Sequence, residues 1–210
     1  MSLLFFNFVF RAVSANIEIS GNILADTQSA LITAQYTDPP NKALRIRLDL
    51  LLGHFLVLRG ENRRGAELAD LSCRLLPKQE GTTPCYMAML CISNGKTNKF
   101  GKKQYGGVLR HRDPLLCTIS ALAMYFFYRW HTSKEPTPTF RERKDWYNTK
   151  VLVGSDPDKP IAFRQQFDDI RSLFTDLSIV SEMVTHAPRK GGAQSAEFHC
   201  VPGEDVSFAS

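Results

Sequence analysis

Arg59-Gly60-Glu61-Asn62-Arg63-Arg64-Gly65-Ala66-Glu67-Leu68-Ala69-Asp70-Leu71 combines an arginine pair with an apolar spacing. A glycine and an asparagine lead into Arg63 and Arg64, and Ala66, Leu68, Ala69 and Leu71 suit a short helix against a core. An arginine at the start of such a helix holds its guanidinium rigidly over a cleft. A second segment near the end of the chain, Thr185-His186-Ala187-Pro188-Arg189, is its counterpart. His186 and Arg189 are three apart, so one helical turn brings them to the same face. Two guanidinium groups and an imidazole meeting at one point form a phosphate-binding constellation, because the guanidinium fork matches two phosphate oxygens at once.

Outward from the arginine pair, the first neighbour is a helix predicted over residues 42–58. It is apolar nearly all round through Leu44, Ile46, Leu48, Leu50, Leu51, Phe55, Val57 and Leu58, which predicts burial. Gly60 is expected to end it, and Asp38-Pro39-Pro40-Asn41 forms the turn before it. Residues 23–36 carry a looser helical spacing at Leu24, Leu31 and Ile32. Residues 1–10 are an apolar run too short to span a membrane, without a basic flank or a small-residue cleavage site, so no membrane partner is expected.

On the other side, residues 84–93 read as a strand, Asn94-Gly95 as a turn, and residues 103–109 as the returning strand of a hairpin. Lys96, Lys99, Lys102 and Lys103 crowd its tip. Asp113 and Pro114 have the character of a cap and a first helical residue for a helix over 115–130. Its Leu116, Ile119, Leu122, Phe126 and Trp130 form a core stripe. Residues 133–139 and 154–160 are loops, and residues 161–179 predict a further helix through Phe163, Phe167, Ile170, Phe174 and Leu177. Arg141 to Lys144 are all charged, and Trp146-Tyr147 beside them is expected to cover the core edge. Gly191-Gly192 is poor helix material.

The chain has 210 residues, enough for one sizeable core, with 43% hydrophobic and 22% charged residues. Net charge is +5, and its distribution is uneven. Residues 59–112 hold eleven Lys/Arg against four Asp/Glu, an excess of seven, which leaves the rest of the chain at −2. Concentrated positive charge is the electrostatic footprint of an anionic partner such as a nucleic-acid backbone. The five cysteines, Cys73, Cys85, Cys91, Cys117 and Cys200, are odd in number and have no CxxC spacing. They are expected to be free thiols, with no disulfide framework, no metal site and no cofactor.

The order of these motifs resembles the catalytic domain of the tyrosine recombinases. It is more similar still to a fungal group, the second domain of the large subunit of the yeast centromere DNA-binding complex and the related Crypton-type recombinases. The residues that carry the likeness are Arg59 through Gly65, Asn94-Gly95-Lys96-Thr97-Asn98, Leu109-Arg110-His111-Arg112-Asp113-Pro114 and Thr185 through Arg189, and it covers residues 26–206. The resemblance implies a mainly α domain with a small β-hairpin (α+β), spanning residues 23–206 after an N-terminal extension of residues 1–22. It implies Arg64 as the first phosphate arginine, with Arg63 as the alternative. The hairpin lysine is one of Lys96, Lys99, Lys102 and Lys103, and His186 with Arg189 complete the set.

Such an enzyme needs a tyrosine nucleophile beyond the second arginine, to form a phosphotyrosine link. The last tyrosine here is Tyr147, so the domain is expected to be incomplete at its C-terminus and its catalytic set vestigial. The expected function is sequence-tolerant binding of double-stranded DNA in the nucleus without cleavage, through Arg63, Arg64, Lys96, Lys99, Lys102, Lys103, Arg110, Arg112, His186 and Arg189. A homodimer or chromatin-associated proteins are the further partners expected. The alternatives are a fragment of an active Crypton-type recombinase and a chromatin or kinetochore protein-interaction domain.

Overall fold

The computed structural model describes residues 40–76, 85–92, 103–133 and 135–200. At its centre is helix α1 (Pro40–Phe55), the buried helix expected from the apolar run. Its sequence serves two clusters at once. Leu44, Leu48, Leu51 and Leu52, at spacings of one and two turns, join Leu90, Val108, Leu122, Tyr125 and Leu152 in the larger core. Ala43, Ile46 and Leu50, rotated round the same helix, pack on Ile170, Leu173, Phe174 and Val184 in a second.

Four charged or titratable residues of α1, Arg45, Arg47, Asp49 and His54, are also buried. Burial of a charge demands partners, and three of these reach far along the chain. Arg45 donates to the Val153 carbonyl at 3.1 Å and to Asp169 Oδ2 at 2.8 Å. Arg47 donates to the Pro114 carbonyl at 2.8 Å and the Leu115 carbonyl at 3.3 Å. Asp49 accepts from Arg63 Nε at 2.6 Å.

The chain leaves α1 earlier than expected. The reversal is made at Val57, whose φ of 52° puts a β-branched residue in the left-handed region. Gly60 is not a helix stop: it is the buried first residue of α2 (Gly60–Gly65), whose last turn carries Arg63 and Arg64. The short helix expected over Ala66 to Leu71 is reduced to a single 3-10 turn, Leu68–Asp70.

A three-stranded antiparallel sheet follows, in the order β1 (Leu71–Leu76), β2 (Cys85–Ile92), β3 (Gln104–Leu109). β2 and β3 are the predicted hairpin, registered Met87 opposite Leu109 through Ile92 opposite Gln104. β1 pairs with β2 from Leu71 opposite Leu90 to Leu76 opposite Cys85. The hairpin tip with Lys96, Lys99 and Lys102 lies outside the described residues, as do residues 1–39 and 201–210.

Helix α3 (Thr118–Phe127) begins later than its sequence predicts. The carbonyls of Pro114 and Leu115 are taken by Arg47, so the Asp113-Pro114 segment forms a turn in which Asp113 Oδ1 accepts from Leu115 N at 2.8 Å. Cys117 caps the helix instead, its Sγ accepting from Ser120 N. A wider π turn at Tyr128–Thr132 ends it. There the buried Arg129 grips Glu135 with two hydrogen bonds, of 2.8 and 2.6 Å. Trp146 packs against the larger core, while Tyr147 beside it is exposed.

Helix α4 (Phe163–Asp176) lies within the predicted 161–179 segment. Helix α5 (Ala187–Phe198) runs straight through Gly191-Gly192. Tertiary packing overrides propensity there, because a Cβ on Gly192 would lie 2.0 Å from the His54 carbonyl oxygen. On the facing side, a Cβ on Gly53 would lie 2.9 Å from Pro188 Cβ. Helix α5 therefore meets the α1 backbone directly at Gly192, while at Gly53 the space is taken by the side chains of Pro188 and Arg63. Among the described residues no helix is long and apolar enough to cross a membrane.

Candidate phosphate-binding cleft

Arg63 and Arg64 are neighbours on a short helix, so their side chains diverge by about 100°. Arg63 turns inward and is fully enclosed. Besides its ion pair with Asp49, its Nη1 donates to the Leu58 carbonyl at 2.9 Å and its Nη2 to the Thr185 carbonyl at 3.1 Å. The expectation that Arg63 contacts DNA is thereby corrected: the guanidinium has its partners inside the protein and no route to a phosphate.

Arg64 turns outward over the start of α4. Its Nη1 donates to Gln166 Oε1 at 2.6 Å, and its guanidinium carbon stands 5.4 Å from the centre of the Phe163 ring. The amide of Gln166 is oriented in turn by Asp49, since Nε2 donates to Oδ1 at 3.0 Å and to Oδ2 at 2.9 Å.

The opposite wall is the first turn of α5. His186 occupies the N-cap position and is exposed, and Pro188 sits in the first turn, where its missing N–H costs nothing. Arg189 follows one turn after His186. Between the walls is an open cleft of about 470 Å³, lined by Arg59, Glu61, Arg64, Phe163, His186 and Arg189 with Gly60 and Thr185.

The cleft is rich in cations. The Arg64 pKa is lowered by burial, opposed by Asp49 and Glu61, with Arg63 adding to the lowering. That of Arg189 is lowered by burial and then by the positive charge of Arg59. Guanidinium groups stay protonated at neutral pH regardless, so both walls of the cleft carry positive charge. Arg189 forms no ion pair with Glu67 or Glu197. Glu67 is bonded by Lys150, and Glu197 is exposed.

Of the sequence-predicted residues, Arg64, His186 and Arg189 come together here. Lys103, Arg110 and Arg112 are exposed but do not line the cleft. His111, between the two arginines, folds inward, its Nδ1 accepting from Asp113 N at 2.9 Å. Among the described residues no tyrosine lines the cleft. Tyr147 is exposed elsewhere, beside Trp146 with the Arg143 guanidinium 5.8 Å from its ring centre.

Sequence reasoning missed Arg59, Asp49 and Gln166. The signal for the last two was present. Gln166 falls three residues after Phe163 and four before Ile170, on the stripe where the helix period demands an apolar side chain. Asp49 interrupts an apolar helix in the same way. A polar residue at such a position needs a buried partner.

The fold is similar to that of a site-specific recombinase. Among solved structures the chain is similar to the XerH site-specific recombinase in its pre-cleavage complex with the difH substrate, with a TM-score of 0.51 and 12% identity. The likeness covers 98% of this chain and 44% of that one, so the chain spans less than half the length of the recombinase. The family profile described as "Centromere DNA-binding protein complex CBF3 subunit, domain 2" matches residues 16–209, and the chain belongs to that family. No curated protein sequence matches it.

Proposed function

We propose that this domain binds double-stranded DNA by its backbone, gripping one phosphate in the cleft, and does not cut it. The observation that carries this reading is the meeting of Arg64 and Arg189, from segments more than a hundred residues apart, across a cleft whose lining holds one carboxylate, Glu61, against three arginines. Forked donors on opposite walls suit the non-bridging oxygens of a single phosphate. Arg59 adds a third charge, and His186 a further polar contact. Phosphate contacts position a duplex without reading its bases, which supports sequence-tolerant binding. The exposed Lys103, Arg110 and Arg112 support further backbone contacts outside the cleft, and Lys96, Lys99 and Lys102, which lie outside the described residues, are proposed to add to them. The family's description as a subunit of a centromere DNA-binding protein complex and the DNA-bound state of the similar recombinase support the partner. They also support a nuclear, chromatin-associated setting. The lack of a tyrosine in the cleft lining among the described residues supports binding without a phosphotyrosine intermediate.

The test has two arms on the same purified chain. Binding to a duplex of arbitrary sequence should weaken steeply with salt, and Arg64→Ala and Arg189→Ala should each weaken it further. Incubation with nicked suicide duplexes should yield no covalent protein–DNA adduct. An adduct would replace this reading with an active recombinase, and affinity indifferent to both arginines would replace it with a protein-interaction domain.

A further inference from the structure

We propose that Asp49 and Gln166, neither of them in contact with the cleft's ligand, are positioning residues that aim the two walls of the phosphate clamp from a single buried carboxylate. The proposal rests on the reading of the cleft as a DNA-phosphate site.

Asp49 is buried in the middle of α1 and is reached by two elements at once. From α4, Gln166 Nε2 donates to both of its oxygens, at 3.0 and 2.9 Å. That fixes which end of the amide faces inward. The carbonyl end must then face Arg64, and Oε1 accepts from Arg64 Nη1 at 2.6 Å. From α2, Arg63 Nε donates to Asp49 Oδ1 at 2.6 Å, while Arg63 Nη2 donates to the Thr185 carbonyl at 3.1 Å. Thr185 immediately precedes His186 and the helix that carries Arg189. One carboxylate therefore orients Arg64 through an amide, and the His186–Arg189 wall through a second guanidinium.

The chemistry of the link suits a clamp. A neutral amide holds a guanidinium in place without cancelling its charge, whereas a carboxylate at position 166 would neutralise Arg64 and repel Asp49. The backbone makes room for the same contact. A Cβ at Gly60 would lie 3.0 Å from Gln166 Oε1 and 3.2 Å from Arg64 Nη1, so an alanine there would press on the bond itself.

The experiment is a pair of double-mutant cycles read by binding to a short duplex of arbitrary sequence, with the folded fraction of each variant measured by circular dichroism. Gln166→Met, close in size and without the amide, should weaken binding about three- to tenfold, one hydrogen bond's worth. In the Arg64→Ala background the same change should have no further effect on affinity per folded molecule. Gly60→Ala, which keeps every polar group, should show the same dependence on Arg64. Equal losses with and without Arg64, or no loss from either variant, would overturn the positioning role while leaving the clamp intact. If Arg64→Ala itself leaves affinity unchanged, the clamp reading fails and the positioning role falls with it. The Arg64→Ala arm alone tells those two failures apart.

Discussion

Arg63 and Arg64 are adjacent, chemically identical and opposite in fate. Arg63→Ala would strip a buried carboxylate, Asp49, of its cation, and such losses cost about 3–5 kcal/mol. Urea denaturation should show that drop in full. Arg64→Ala should barely move the urea midpoint yet weaken duplex binding about tenfold or more, the scale of a charge-assisted contact of about 1.5–3 kcal/mol. Lysine at 64 should restore only part, since a point charge lacks the fork. The sequence marks the pair but does not separate its members, because adjacent positions on a six-residue helix differ only in which way the interior lies. Asp49 holds the missing information, and it becomes legible only when the partner of a carboxylate inside an apolar helix is sought. His54 adds a pH signature. Burial against α5 lowers its pKa from 6.5 to about 4. Between those values the unfolded chain binds a proton that the native state refuses. His54 should thus remove stability as pH falls from 6.5 toward 4, by about 3 kcal/mol in all, with no further loss below. Chemical denaturation of wild type and His54→Gln across that range should show a flatter profile for the variant.

At the level of elements, the α1–α5 crossing inverts the usual rule for helical glycines. Alanine ordinarily stabilises an exposed helical glycine position by about 0.5–1 kcal/mol. Gly65, with open space around its Cβ position, should follow that rule. Gly192→Ala should instead destabilise by more than about 1–3 kcal/mol, since backbone rather than a flexible side chain stands in the way. Thermal melts of Gly65→Ala and Gly192→Ala, read side by side, test the crossing directly. The same crossing explains why α5 was hard to read. Propensity alone counts Gly191-Gly192 against a helix, and what overrides it is packing against α1, some 140 residues earlier. α4 was legible from its period-3.6 stripe, α1 from the length of its apolar run, and β2 and β3 from the apolar segment and the Asn94-Gly95 turn between them. β1 was not, because four of its six residues are exposed and its apolar positions do not alternate. The start of α3 was displaced by Arg47, a side chain from another helix taking the carbonyls that would have begun it.

For the whole molecule, electrostatics should dominate the response to salt. Removing one phosphate-binding cation should make the slope of log affinity against log salt shallower by about 0.9. Arg59→Ala and Arg189→Ala should each do so, and Lys99→Ala, Lys102→Ala and Lys103→Ala combined should do so by one step per lysine that meets the backbone. A slope that the lysine triple variant leaves unchanged would take the hairpin off the DNA. Composition places the positive excess in residues 59–112, but the second wall of the cleft comes from residues 185–189, outside that segment. Charge counting could find the partner's sign and not the shape of the site.

The buried polar residues of α1 also set the order in which the molecule can be made. Arg45 waits for Val153 and Asp169, 108 and 124 residues downstream, and Asp49 for Gln166, 117 residues downstream. Until that late sequence exists, Arg45 lacks Asp169 and Asp49 has only Arg63, so α1 cannot bury itself without leaving polar groups unmatched. Contacts of such separation make folding slow and concerted, with loop-closure entropy lost before the bonds that compensate it can form. On the ribosome, the first helix of the core is among the earliest described elements to emerge and can only be among the last to settle, once α4 has been synthesised.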